Sequence, residues 1–351
     1  MTAQWNNDNA KQLRELYAEM RPHSLYPLWE VLSMLVTPTP RSSAQPWKWD
    51  YASAREYLLR AGDLISAEKA ERRVLILENP GLPGSSSITT SLYAGLQLIL
   101  PGEVAPCHRH TPCALRFVLE GDGAFTAVDG EKVIMRPFDL VLTPNWQWHD
   151  HGNHTDAPMI WLDGLDIPTV LHFDASFVER HDQASHPETA RPGDSLIRYG
   201  LNMRPMRGSI ADRRPAHQPL FHYPYEQWRG ALKELAAAAV PDPHLGHALE
   251  FLNPADGGSI MPTVTAHVRL LPAGFASAPR RATDGTVFVV VEGRGHATVA
   301  DQEFKLAERD LLVVPSWQEL RLMAESDLIL FGYSDRVAQE KLGLFREARS
   351  Q

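Results

Sequence analysis

Pro106-Cys107-His108-Arg109-His110, answered later in the chain by Trp148-His149-Asp150-His151, is the stretch on which the reading of this sequence turns. Along an extended strand successive side chains alternate faces. His108 and His110 therefore project together, while Cys107 and Arg109 point the other way. With His149 as a third donor the pattern is that of a facial metal site, His108, His110 and His149. His151 shares a face with His149 and can donate or accept a hydrogen bond beside a bound ligand, although a surface histidine would read the same way. His154 falls on the turn that follows. Cys107 and Cys113 raise a zinc reading, which the opposed direction of Cys107 disfavours.

Around this stretch the pattern is that of strands. Arg73–Leu77, Ile88–Leu100, Leu115–Leu119, Ala124–Val128, Lys132–Met135, Asp139–Thr143, Trp148–Gly152 and Met159–Leu165 alternate with Gly and Asp turns such as Asp129-Gly130. Short strands at even spacing predict a sandwich or barrel. Residues 262–333 repeat the pattern. Gly102, Glu120-Gly121 and Gly123 recur as Gly274, Glu292-Gly293 and Gly295 at an offset of 172. Asp139-Leu140, Pro144 and Trp146-Gln147 recur as Asp310-Leu311, Pro315 and Trp317-Gln318 at an offset of 171. Identities in register imply a duplicated barrel. Arg280, Ala282 and Leu320 stand where His108, His110 and His149 would be, so the second copy has lost the metal ligands.

The expected organisation is mainly β, with an N-terminal helical arm (1–71), a metal-binding barrel (72–170), a linker with a helix at Tyr225–Ala239 (171–260), a degenerate second barrel (261–335) and a C-terminal helix (336–351). In the arm, helical spacing marks Asn9–Tyr17 and Leu28–Val36, and Ser53-Ala54-Arg55-Glu56 has capping-box spacing for a third helix. A formal charge of −9 argues against nucleic acid and anionic membrane as partners. Met1–Asn7 has no signal-peptide character, no apolar run is long enough to span a bilayer, and two cysteines give no disulfide framework; a cytoplasmic location is expected.

The first β region resembles the cupin superfamily of metal-binding double-stranded β-helix barrels, which makes the whole chain an expected bicupin. Gly102, His108, His110 and Gly121 fit cupin motif one, and Pro144, His149 and Asn153 fit motif two, but Ala114 replaces the usual Glu and Phe138 and Trp146 replace two glycines. Three neutral imidazoles leave a divalent ion its full charge, which favours a doubly anionic chelating ligand. Arg116 lies two residues from Ala114 and so faces inward with it. A guanidinium inside a barrel needs an anion, either a substrate carboxylate or a protein acid. On the strand Ser91–Leu100, Tyr93, Gly95 and Gln97 share the face opposite the leucines, where they wall a flat pocket or form a half-exposed face.

A narrower resemblance is carried by His108–Gly121, by Trp148–Asn153 and by Arg72–Pro80, which are similar to the signatures of gentisate 1,2-dioxygenases and their salicylate- and 1-hydroxy-2-naphthoate-cleaving relatives. That resemblance implies one Fe(II) per chain, held by His108, His110 and His149 in the first barrel, a cytoplasmic homotetramer, and a small aromatic 2-hydroxy acid and O2 as partners. It implies ring cleavage between C1 and C2, giving maleylpyruvate from gentisate. It also places Arg72, Arg116 and His151 as residues that hold substrate or assist the oxygen chemistry, and Asp163 as a carboxylate near the site that acts with His151 and Arg116 in catalysis rather than as a metal ligand. Tyr93 stands where a salicylate-active relative carries Trp, which favours gentisate over salicylate or 1-hydroxy-2-naphthoate. A non-oxidative metal cupin (an isomerase or decarboxylase) or a ligand-binding cupin are the more distant readings; the former normally keep the Glu that Ala114 replaces.

Overall fold

The computed structural model describes residues 7–201, 203–206, 209 and 218–350. The first six residues, read above for a leader, lie outside the described residues. The chain divides into two compact units, Met1–Arg41 and Ser42–Gln351. In the first, helices α1 (Asn7–Met20) and α2 (Leu28–Leu35) are joined by a short turn. The Trp29 indole donates to the Tyr17 hydroxyl at 2.7 Å, and that hydroxyl donates to Glu30 at 2.7 Å. Among the described residues no helix is long and apolar enough to cross a membrane.

The second unit opens with strand β1 (Trp47–Trp49) and helices α3 (Tyr51–Leu64) and α4 (Ala67–Ala70). The first barrel follows as β2 (Val74–Ile76), β3 (Tyr93–Ile99), β4 (Val104–His110), β5 (Ala114–Glu120), β6 (Phe125–Val128), β7 (Glu131–Ile134), β8 (Leu140–Thr143), β9 (His149–Gly152) and β10 (Met159–Leu165). Next come α5 (Ile167–His172), β11 (Val178–Arg180), α6 (Asp194–Tyr199), β12 (His222–Tyr223), α7 (Tyr225–Ala238) and β13 (His247–Glu250). The second barrel is β14 (Thr265–Leu271), β15 (Arg280–Ala282), β16 (Thr286–Glu292), β17 (Gly295–Val299), β18 (Gln302–Leu306), β19 (Leu311–Val314), β20 (Leu320–Ala324) and β21 (Leu328–Ser334), closed by α8 (Arg336–Lys341) and β22 (Glu347–Arg349).

Each barrel is a six-stranded sheet facing a five-stranded one: β12-β8-β5-β10-β3-β2 over β11-β4-β9-β6-β7, and β1-β19-β16-β21-β14-β13 over β18-β17-β20-β15-β22. Alternation gives each large sheet two apolar faces. Val118, Val141 and Trp161 fill the first barrel, whereas Leu115, Phe117 and Leu162 enter a core shared with Val287, Val289 and Phe331 of the second. At its centre Phe117 and Phe331 stack with ring centroids 4.0 Å apart. The duplicated, mainly β fold read from the sequence is thus present, and its two copies are packed back to back through their large sheets.

Three details differ from the sequence reading. The helix assigned to the Ser53 capping box starts at Tyr51, where the backbone N–H donates to Asp310 Oδ1 of the other barrel at 3.0 Å. The terminal segment is helical only over Arg336–Lys341; it then returns as β22 and pairs with β15, because β15 offers an open edge. The arm contributes a strand, β1, which pairs with β19 of the second barrel.

The duplication also extends further than the barrels. Tyr51 and Arg55 of α3 bind Glu120, and Tyr225 and Arg229 of α7 bind Glu292. Reciprocally, Asp310 receives the first N–H of α3 and Lys48, while Asp139 receives the first N–H of α7 and His222. Each copy's strand–helix preface therefore begins on the opposite barrel and is clamped to its own. The Glu-Gly identities follow from this: the Glu holds the helix, and Gly121 and Gly293 turn the chain at φ +94° and +82°. Removing one clamp should be measurable as coupling. Glu292→Ala and Arg229→Ala are each expected to destabilise by about 1–3 kcal/mol, with a non-additive double mutant in denaturant titration; strict additivity would show that the clamp contributes nothing.

Candidate metal centre and pocket

β4 and β9 lie side by side in the small sheet of the first barrel, and their register decides what the barrel interior contains. Val104 pairs with Gly152 and Ala105 with His151, yet His108 pairs with His149, so β4 carries one extra residue between Ala105 and His108. Opposed residues in an antiparallel pair share a face. Were the pairing of Val104 and Ala105 continued one-to-one, Cys107 would oppose His149, and the histidines of the two strands would face opposite sides. The bulge coincides with Pro106, a residue that sheets tolerate at bulges because it has no N–H to give the ladder.

The result is a three-histidine cluster. Ring centroids are 5.3 Å apart for His108 and His110, 4.4 Å for His108 and His149, and 4.8 Å for His110 and His149. One donor nitrogen from each lies within 4.8 Å of the others. His110 Nδ1 donates to the Pro112 carbonyl at 2.7 Å and His149 Nδ1 to the Gln147 carbonyl at 3.0 Å, which turns both Nε2 atoms inward. His149 Nε2 is buried without a hydrogen-bond partner. Burial holds His108 down at about 3 and His110 at about 4, with Arg72 and Arg116 adding positive charge nearby, and it holds His149 well below the ordinary histidine range. Three neutral imidazoles, two of them with Nε2 lone pairs turned inward and the third held at Nδ1 by Arg72, fit a divalent transition metal.

His151 joins this wall, with its ring centroid 5.8 Å from that of His149. Its Nδ1 lies 2.9 Å from the Thr126 hydroxyl, whose own proton lies on the Met135 sulfur at 3.3 Å. Thr126 therefore accepts from Nδ1, leaving the buried, unpartnered Nε2 as an acceptor. Across the barrel, Gly95, Asp163 and Arg116 form one row over β3, β10 and β5. Arg116 is 3% exposed; its Nη1 donates to Thr143, its Nε is 3.5 Å from Asp163 Oδ1, and that Nε has no hydrogen bond. The protein-acid alternative for Arg116 is thus present, but it leaves a donor over. Asp163 also accepts from the Trp161 indole at 3.0 Å, and burial lifts its carboxyl to about 6 against the pull of Arg116.

Arg72 reaches in from the start of β2. It donates to the Pro106 carbonyl at 2.7 Å and lies 2.6 Å from His108 Nδ1. Burial and the charge of Arg116 lower it to about 10. Tyr93, Gly95 and Gln97 form a buried or half-buried face, not an exposed one. A Cβ on Gly95 would come within 2.5 Å of Val74 and 2.7 Å of the Tyr93 hydroxyl, so the phenol rests where a side chain is missing. Ala114, in the position of the missing Glu, is 1% exposed and opposes Thr143.

On the other face of β4, Cys107 meets His186, which donates from Nδ1 to Asp150 at 2.7 Å and accepts at Nε2 from the Gly130 N–H at 2.7 Å. Burial pushes the Cys107 thiol up to about 11. This network ties residues near 186 behind the three-histidine cluster. Thr126, Thr143 and Trp161 were not singled out in the sequence; their roles depend on cross-strand register, which a single strand pattern does not carry.

Residues 95–165 match the Cupin domain family. A gentisate 1,2-dioxygenase of Aquipseudomonas alcaligenes is 51% identical over 340 residues, spanning 97% of each chain. One from Streptomyces is 40% identical over 97% of this chain and 96% of its own. The salicylate 1,2-dioxygenase of Pseudaminobacter salicylatoxidans, solved as an adduct with gentisate, superposes with a TM-score of 0.91 at 35% identity, covering 100% of this chain and 97% of that one.

Two consequences of this geometry are measurable. Inserting one alanine after Pro106, with the bulge kept at one residue, should bring Cys107 opposite His149 in place of His108 and lower bound metal at least about ten-fold by elemental analysis; full occupancy in a folded insertion variant would refute the register argument. Asp163, raised when folded, contributes stability that is greatest below its unfolded value and is lost as pH rises through about 6. Denaturant titrations should therefore show Asp163→Asn gaining about 1–3 kcal/mol on wild type between pH 4 and 7, whereas parallel pH profiles would remove the carboxyl from this role.

Proposed function

Because the chain belongs to the gentisate 1,2-dioxygenase family, we propose that it opens the ring of gentisate with O2 between C1 and C2 to give maleylpyruvate, using one Fe(II) at His108, His110 and His149. The observation that carries this reading is the inward, neutral three-histidine cluster facing a buried arginine with a donor to spare. Bound iron would supply a Lewis acid for the substrate's oxygens and a redox partner for O2.

The chain's own residues account for recognition. A carboxylate entering between the two arginines meets the Arg116 guanidinium, whose Nε makes no hydrogen bond although it lies 3.5 Å from Asp163, while Thr143 holds Nη1 and the Trp161 indole holds Asp163. A guanidinium only donates, so Arg72 holds His108 with its Nδ1 as acceptor. For His108 to present Nε2 as a lone pair, Arg72 must release Nδ1, which frees its guanidinium for the same carboxylate. His151, weakly basic through burial and the nearby arginines, accepts a hydrogen bond at Nε2 from a ring hydroxyl without taking the proton at neutral pH. Tyr93, Gly95 and Gln97 would set the room beside the ring. The same reading includes a cytoplasmic location and a homotetramer; the exposed apolar run Leu28, Trp29, Leu32 and Leu35 supports self-association, and light scattering of the loaded protein measures that assembly.

Salicylate is the second substrate reading, favoured by the superposition on a salicylate 1,2-dioxygenase. An oxygen electrode comparing gentisate, salicylate and 1-hydroxy-2-naphthoate on Fe(II)-loaded protein separates the two. Fastest uptake with gentisate is expected, and no uptake with any of the three would sink the proposal. Arg116→Lys keeps the charge but loses the planar fork, and should lower kcat/KM at least about a hundred-fold with metal content unchanged.

A further inference from the structure

The second barrel has kept the geometry of the first while changing its contents. Ala276 pairs with Met323 and Arg280 with Leu320, so β15 and its approach carry the same one-residue excess as β4. Arg280 is thereby turned to the place that His108 holds in the first copy. On β14, His267 and Arg269 stand at the positions of Gly95 and Gln97, at the offset of 172. Together with Asp284, Thr286 and Arg336 these residues line a cavity of about 190 Å³.

Arg269 decides what this cavity can hold. It is 5% exposed, its guanidinium lies 5.0 Å from the Phe288 ring, and its Nε and Nη1 are buried without a hydrogen-bond partner. Arg280 is paired with Glu347 and Arg336 with Glu340, but among the described residues no carboxylate pairs with Arg269. A buried, unpaired guanidinium is costly unless an anion completes it. His267 Nε2 and Asp284 Oδ1 are likewise buried without partners. Glu250 also lines the cavity, at its exposed side, but the buried groups without partners are two donors of Arg269, suited to a carboxylate, and one oxygen of Asp284, suited to a hydroxyl.

We propose that the second barrel is a binding site for a small hydroxycarboxylate, its carboxylate held by Arg269 and its hydroxyl by Asp284. Burial and the charge of Arg280 bring Arg269 down to about 9, and a bound anion relieves both. The metal's positive charge in the first copy is replaced here by a guanidinium, so the duplicated barrel keeps its preference for acids without redox chemistry. The site does not depend on the reaction of the first barrel.

Calorimetry on the full-length, metal-loaded protein in oxygen-free buffer tests this with lactate and with propionate, which lacks the hydroxyl. Any binding at the first barrel is common to wild type and Arg269→Gln, so their difference reports the second. Lactate is expected to bind wild type at least about ten-fold tighter than it binds Arg269→Gln, and tighter than propionate binds wild type, with oxygen uptake on gentisate unchanged by the substitution. If Arg269→Gln does not fold, Arg269→Lys should show a smaller loss. Lactate, and not chloride at equal ionic strength, should raise the wild-type melting midpoint. No lactate binding by wild type, equal binding by wild type and variant, or an equal midpoint shift with chloride would overturn the site.

Discussion

The candidate site depends on one extra residue in β4. Strand pairing fixes which side chains share a face, and a one-residue slip moves a whole strand's set to the opposite side. The excess between Ala105 and His108 places His108 rather than Cys107 opposite His149. It gathers three imidazoles inside the barrel and sends Cys107 outward to His186 and Asp150. The outer network then holds the strand from behind. Selection of ligands is thus a matter of register before it is a matter of residue type.

The same device in the second copy, where no histidine remains at those positions, separates geometry from chemistry. Both copies keep the bulge, the Glu-Gly turn, the helix clamp and an arginine over a tryptophan on the outer face, Arg109 on Trp146 and Arg281 on Trp317. Both also keep left-handed backbone where the cupin pattern has glycine: φ is +65° at Phe138 and +63° at Trp146, +66° at Arg309 and +63° at Trp317. Each such non-glycine residue costs roughly 1–2 kcal/mol, which ring packing offsets. Phe138 packs against Phe117 and Tyr225, and Trp146 against Phe177. The second barrel also supports the first directly, since the Tyr333 hydroxyl donates to the Tyr93 carbonyl at 2.9 Å on the strand that carries Gly95.

Much of this was legible in the residues. Alternation alone brings His108 and His110 together, and identities at a fixed offset reveal the second barrel. The inward direction of Arg116 follows from its spacing to Ala114. What could not be read depends on partners distant in sequence. Nothing near Trp47 says that it will pair with Val313, and the Ser53 capping box was overridden by Asp310, which caps two residues earlier. Pro106 was the visible trace of the bulge, but a proline within a strand pattern does not say which register the partner will take. Thr126 and Thr143 acquire their roles only through the strands that face them.

The exchanged prefaces set an order for building the molecule. Trp47 must find Val313, 266 residues further on. At roughly 5–20 residues per second of synthesis the early strand waits on the order of 10–50 s for its partner. Until then Trp47 and Trp49 form an uncovered edge, whereas β12 (His222–Tyr223), the strand borrowed by the first barrel, is made before β19. Neither barrel can complete its large sheet from its own residues alone, so the two copies are obliged to mature as one body, at the ribosome's pace for the whole chain.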